Sequence, residues 1–150
     1  MNEEYMREAL ELAKQAFDQD EVPVGAVVVR DGEIVSRACN ERETISDATA
    51  HAEVLAIRRA CEKLGRWRLS DCELYVTLEP CPMCAGAIVN AKLGAVYYGA
   101  KDPRGGAFGS IMDLRSYPLY HKPRILGGIL EQEGLSLVHS FFEKKRKEKN

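Results

Sequence analysis

The sequence predicts an α/β protein of three layers, a five-stranded mixed sheet with helices on both faces. Three observations carry that expectation. Apolar residues recur at helical spacing in several separate stretches, and short runs rich in Val, Ile and Tyr lie between them. An Asp31-Gly32 dipeptide joins two β-type runs, a strong hairpin signal, so the sheet opens with an antiparallel pair. Further on, strands alternate with helices, and such units pair in parallel.

The elements follow in order. The first helix runs from Glu4 to Phe17, with Met6, Ala9, Leu10, Ala13, Ala16 and Phe17 at helical spacing. Val24 to Val29 and Ile34-Val35 form the hairpin, whose outgoing strand also carries Cys39 and Asn40. Thr44 to Ala50 is a loop, and a helix from His51 to Leu64 buries Val54, Leu55, Ile57 and Ala60. Glu73 to Thr77 is a compact strand, after which Glu79-Pro80-Cys81-Pro82 turns the chain. Pro82 suits the first turn of the next helix, where a missing N–H costs nothing, and Met83 to Ala91 continues it. Ala95 to Tyr98 is the next strand. A glycine-bearing loop from Asp102 to Gly109 leads to a short helical stretch at Ile111–Leu114. Ile125 to Leu130 is the fifth strand, and Leu135 to Lys149 the last helix, apolar at first and then strongly basic. No repeat or Pro/Gly-rich linker divides the 150 residues, so one domain over 1–150 is expected, large enough for a core without staples.

Composition narrows the function classes. No apolar run approaches the roughly 20 residues that span a bilayer. The acidic start, Met1-Asn2-Glu3-Glu4-Tyr5, has no apolar h-region, so the expected location is the cytoplasm. Five cysteines, an odd count, argue against a disulfide framework. Cys39, Cys61 and Cys72 have no spaced partner and read as small apolar residues. Net charge is only −2. Residues 101–150, however, carry 10 Lys+Arg against 6 Asp+Glu, and the first hundred 11 against 17. That asymmetry fits a phosphate-binding surface, and equally a solvated helix end whose cations offset the helix dipole.

The chemistry concentrates in His51-Ala52-Glu53, Pro80-Cys81 and Cys84. Both segments fall at predicted helix starts, where unpaired N–H groups and partial positive charge favour thiolate over thiol. One imidazole and two thiolates give a zinc ion three protein ligands and leave a tetrahedral position for water, as in catalytic sites. Zinc lowers the pKa of such a water to about 7. Glu53, two residues past a ligand, reaches that water without competing for the metal and serves as general acid and base. Each piece alone is weak. A His before a helix is commonly a cap or surface residue, and Cys81-Pro82-Met83-Cys84 could be a redox pair or half of a structural zinc site. The redox reading leaves His-Ala-Glu without a task. The structural reading lacks a fourth ligand, since His121 and His139 have no ligand-like spacing to the others.

His-x-Glu followed by Pro-Cys-x-x-Cys resembles the signature of the zinc nucleobase deaminases. The resemblance extends to Val22-Pro23-Val24-Gly25-Ala26-Val27, Leu74 to Cys81, Met83 to Ala87 and Gly99-Ala100-Lys101-Asp102-Pro103, and covers nearly the whole chain. These stretches are similar to the bacterial tRNA-specific adenosine deaminases. That family implies a cytidine-deaminase-like fold, one Zn²⁺ per subunit, a homodimer, and hydrolytic deamination of the wobble adenosine in an arginine tRNA anticodon stem-loop. Carried over by position, it implies that Asn40 hydrogen-bonds the everted adenine and Asp102 contacts a neighbouring ribose. Arg104 and Arg146 would meet phosphates, and Phe142 would line the space where loop nucleotides splay out. The nearest alternative is another deaminase of the same fold, acting on guanine, free cytosine or cytidine. Guanine deaminases resemble His51 to Ala87 well, so the metal motif does not choose the substrate. The Lys101-Asp102 loop and the basic terminal helix favour RNA, because a free-base enzyme has no physical need for them. A noncatalytic RNA-binding protein is the remaining alternative, and it would tolerate replacement of Glu53.

Overall fold

The computed structural model describes residues 1–149. Helix α1 spans Glu3–Asp18, capped by the Asn2 side chain, which accepts from the Glu4 N–H at 2.9 Å. Strands β1 (Gly25–Arg30) and β2 (Glu33–Cys39) form the antiparallel hairpin. Asp31 and Gly32 both hold positive φ at its turn, as a two-residue hairpin loop demands. Helix α2 spans Ala52–Leu64 and stops at Gly65, whose φ of 67° gives the left-handed cap. Strand β3 (Glu73–Leu78), helix α3 (Pro82–Asn90), strands β4 (Ala95–Ala100) and β5 (Arg124–Leu126), and helix α4 (Glu131–Lys149) complete the fold.

The five strands lie in the order β2-β1-β3-β4-β5, with β1 antiparallel to both neighbours and the last three parallel. The expected mixed sheet is therefore present. Side chains alternate across it. Ala26, Val28, Leu74 and Val76 face α2 and α3, while Val27, Val29 and Tyr75 face α1 and its neighbour α4. Gly25 sets how closely α1 lies on the sheet: a Cβ there would sit 1.9 Å from the Ala9 carbonyl oxygen.

Three expectations are corrected. The helical stretch at Ile111–Leu114 is instead an isolated bridge between Phe108 and Asp113 followed by a single 3₁₀ turn over Leu114–Ser116. Strand β5 ends at Leu126 rather than Leu130. Gly127 lies against the Tyr98 ring with no room for a Cβ, Gly128 turns to a φ of 87°, and Leu130 also holds positive φ. The last helix then starts at Glu131, before Leu135. Gly134 is not a boundary: it is buried within α4 because the helix approaches the Thr77 carbonyl, 2.8 Å from where a Cβ would stand.

Candidate active site

Two helix starts meet at one end of the sheet. His51 and Cys81 occupy the N-cap positions of α2 and α3 in extended backbone, and neither uses its side chain as a cap. The imidazole and the thiol are thus left to face one another. His51 Nδ1 lies 3.6 Å from Cys81 Sγ and 3.4 Å from Cys84 Sγ. Zinc–sulfur bonds of about 2.3 Å and a zinc–nitrogen bond of about 2.0 Å at tetrahedral angles require nitrogen–sulfur separations near 3.5 Å. The donor set and its spacing therefore fit a zinc ion. Among the described residues these three side chains form the one His/Cys/Asp/Glu cluster close enough to hold a metal. No fourth protein ligand joins them. His139 is exposed on α4, and His121 is engaged with the Leu93 carbonyl.

The donors hold protons unequally. The Cys84 thiol and His51 both direct hydrogen bonds at Cys81, which draws the Cys81 thiol down to about 4. Cys84 keeps the shared proton and its pKa is raised, helped by burial. His51 is raised by its bond to Cys81. Glu53, the second residue of α2 and only 4% exposed, adjoins Cys84; burial pushes its carboxyl up to about 7. That value is near the one a group exchanging protons at neutral pH needs.

Asn40 takes over the capping task that His51 gives up. Its Oδ1 accepts from the Ala52 N–H at 2.8 Å, and its Nδ2 donates to the Val22 carbonyl at 3.0 Å. Asn40 stands one residue beyond the end of β2, not on the strand itself. Its amide is anchored at both ends beside the cradle. The neighbouring loop is held by Glu21, whose buried carboxylate accepts from Glu43 N–H, Thr44 N–H and Thr44 Oγ1.

A groove of about 840 Å³ runs between the loop after β4 and helix α4. Asp102, Arg104, Phe142 and Arg146 all line it, so two segments that are far apart in sequence share one surface. Lys101 and Lys149 add further positive charge. Val22 and Lys145 are shared with an adjoining cleft that contains Asn40 and Arg42, and Asn40 is bonded to Ala52, between His51 and Glu53. Asp102 shapes the loop itself, its Oδ1 accepting from the N–H groups of Arg104 and Gly105. Lys145 ties α4 to the end of α1 through Asp20 at 2.6 Å. Arg104 and Arg146 are exposed and in no ion pair among the described residues.

Sequence reasoning missed Glu21, Glu79 and the Lys145–Asp20 tie, whose partners are distant in the chain. A trace of Glu79 was readable in Gly105-Gly106, a glycine pair where the loop must pass a side chain closely. The three unassigned cysteines behave as apolar residues. Cys72 is in the core and burial pushes its thiol up to about 11, Cys39 is buried, and Cys61 packs at the core's edge.

Residues 1–133 match the family described as MafB19-like deaminase. The chain is 48% identical to the tRNA-specific adenosine deaminase of Bacillus subtilis (strain 168) over 149 residues, 99% of this chain and 92% of that one. A solved structure from studies of A-to-I editing by tRNA:A34 deaminases at the wobble position of transfer RNA superposes with a TM-score of 0.89. It is 46% identical and covers 91% of this chain and 99% of its own. A Bacillus subtilis guanine deaminase structure is 43% identical, with a TM-score of 0.65 and coverage of 82% of this chain and 79% of its own.

Proposed function

The chain belongs to the tRNA-specific adenosine deaminases, and from that premise we propose that it converts the wobble adenosine of an arginine tRNA anticodon to inosine. The observation that carries this reading is a pairing of two features: a His-Cys-Cys cradle with a buried carboxyl beside it, and a cationic, aromatic-bearing groove whose adjoining cleft is lined by Asn40, the residue bonded to Ala52 between His51 and Glu53. A free base needs the first and not the second. Residues 1–150 act as one zinc-dependent domain and pair as a homodimer whose two subunits contact the RNA, in the cytoplasm where tRNA is handled. No helix among the described residues is long and apolar enough to cross a membrane.

His51, Cys81 and Cys84 hold one zinc ion, which supplies a Lewis acid that makes water nucleophilic near neutral pH. Glu53 takes a proton from the attacking water and delivers it to adenine N1. Water oxygen adds at C6 and the ring loses aromaticity there. Glu53 then takes the proton of the new C6 hydroxyl and passes it to the exocyclic amine. The C6–N bond breaks as the C6 carbonyl forms, and adenosine and water have given inosine and ammonia. Asn40, anchored at both ends, presents a fixed polar edge to the everted base. Asp102 meets a neighbouring ribose, Arg104 and Arg146 meet phosphates, and Phe142 offers a ring to an unstacked nucleotide.

The similarity to guanine deaminase favours a second reading, deamination of free guanine at the same cradle. Ammonia release from tRNA, guanine, adenosine and cytidine, measured side by side with zinc-loaded protein, separates the two. Turnover confined to tRNA supports the proposal. Turnover of guanine without tRNA conversion replaces it with the second reading.

A further inference from the structure

Glu79 stands in the turn that carries Cys81, and the chemistry above gives it no task. Its side chain is 2% exposed. All four hydrogen bonds to its carboxylate come from residues 102–110. Oε1 accepts from the Asp102 N–H at 3.1 Å and from Ser110 Oγ; Oε2 accepts from the Phe108 N–H at 3.0 Å and the Ser110 N–H at 3.2 Å. Three backbone N–H groups converging on one carboxylate form a concave anion nest, here closed over an internal group. The loop is moulded to that carboxylate, because a Cβ at Gly106 would stand 2.2 Å from its carbon and 2.4 Å from each oxygen. Main-chain bonds lock the same two segments, from Glu79 N–H to the Ala100 carbonyl and from Ala107 N–H to the Pro80 carbonyl, each at 2.8 Å. The loop so held carries Asp102 and Arg104, and the turn holding it carries Cys81.

We propose that Glu79 is a positioning residue that sets the distance between the metal cradle and the substrate-facing loop, and so governs how well RNA is bound. Uncompensated burial of a carboxylate is costly, and the four donors offset that cost only while the loop is wrapped around it. Loop and cradle therefore keep one relative placement. The side chain touches neither substrate nor metal; it acts through Asp102 and Arg104. This rests on the tRNA reading above.

The test is Glu79→Gln, which keeps the volume but sets an NH₂ against N–H donors. Zinc content stays at one per chain, KM for tRNA rises about tenfold, kcat moves less than about threefold, and the amides of Asp102, Phe108 and Ser110 exchange with solvent at least about tenfold faster. Unchanged KM with unchanged exchange overturns the proposal. So does zinc loss in step with activity, which assigns Glu79 to the metal turn alone. Ser110→Ala removes one donor and keeps the charge, giving a smaller KM rise that is not additive with Glu79→Gln. Additive effects overturn the tie, and Ser110→Ala read by amide exchange decides the matter if Glu79→Gln does not fold. Wild-type protein assayed alongside isolates the premise. If it fails to convert tRNA, the tRNA reading falls, while the exchange rates still report whether Glu79 holds the loop.

Discussion

The metal cradle and the groove beside it are fixed in different ways. In the cradle each side chain springs from the N-cap or first turn of a helix whose start is packed into the body: Ala52 and Cys84 are fully buried, and Glu53 nearly so. The ligand atoms sit at the spacing a metal needs because two N-caps leave their side chains uncapped and turned toward each other. In the groove the reaching side chains stand on the surface. Phe142 is 45% exposed and Arg104 and Arg146 are exposed, while α4 itself is bound to the body through Phe141, Gly134, Leu137 and the Lys145–Asp20 pair. Bond-making needs atoms held within a fraction of an ångström. An RNA loop is met by long side chains that adapt, and the difference lies between precision and reach.

Experiments that break one region and spare the other sharpen this contrast. The largest effect is expected from stripping the metal. Chelation takes ammonia release to background and lowers the melting temperature, since a ligand present at about 100 times its Kd stabilises by about 2.7 kcal/mol. Added zinc restores both. Cys84 holds a proton in the metal-free cradle and must give it up to the ion, so metal uptake releases protons and apparent zinc affinity falls as pH falls. A pH-independent affinity would contradict the arrangement. Next comes Phe142→Ala. Loss of a stacking surface worth about 1–3 kcal/mol raises KM for tRNA about tenfold, with kcat and zinc content unchanged, as steady-state kinetics will show. A matching loss of kcat would place Phe142 in the cradle's chemistry. The smallest effect is that of Arg146→Gln: KM rises about threefold, and the slope of log affinity against log salt falls by about 0.7, as expected for one lost contact to a single strand. An unchanged salt slope would remove Arg146 from the phosphate contacts.

How much was readable in the sequence follows the same divide. His51, Glu53, Cys81 and Cys84 are close in the chain within two short motifs, and the helix starts that aim them are written locally by Pro82 and the preceding loop. The hairpin was equally local, since Asp31-Gly32 states its own turn. What stayed hidden depends on contacts between distant segments. Residues 127–130 look like a strand by composition, yet the approach to Tyr98 bends them away from the sheet. Gly134 looks like a helix breaker, and only the nearness of Thr77 explains it inside α4. The cap that Asn40 supplies to Ala52 spans 12 residues, and the bonds from Glu79 to Ser110 span 31. Periodicity carries no trace of such pairs.

The most direct measurement is inosine at the wobble position of an arginine tRNA, after incubation with zinc-loaded wild-type protein and with Glu53→Ala at equal zinc content. The account predicts conversion by the first and a loss of about 10³–10⁴-fold in the second, the upper range for removal of a general acid and base. Near-normal conversion by Glu53→Ala would contradict the role of the buried carboxyl. No conversion by either protein, with zinc bound, would leave the cradle standing and remove tRNA as its substrate.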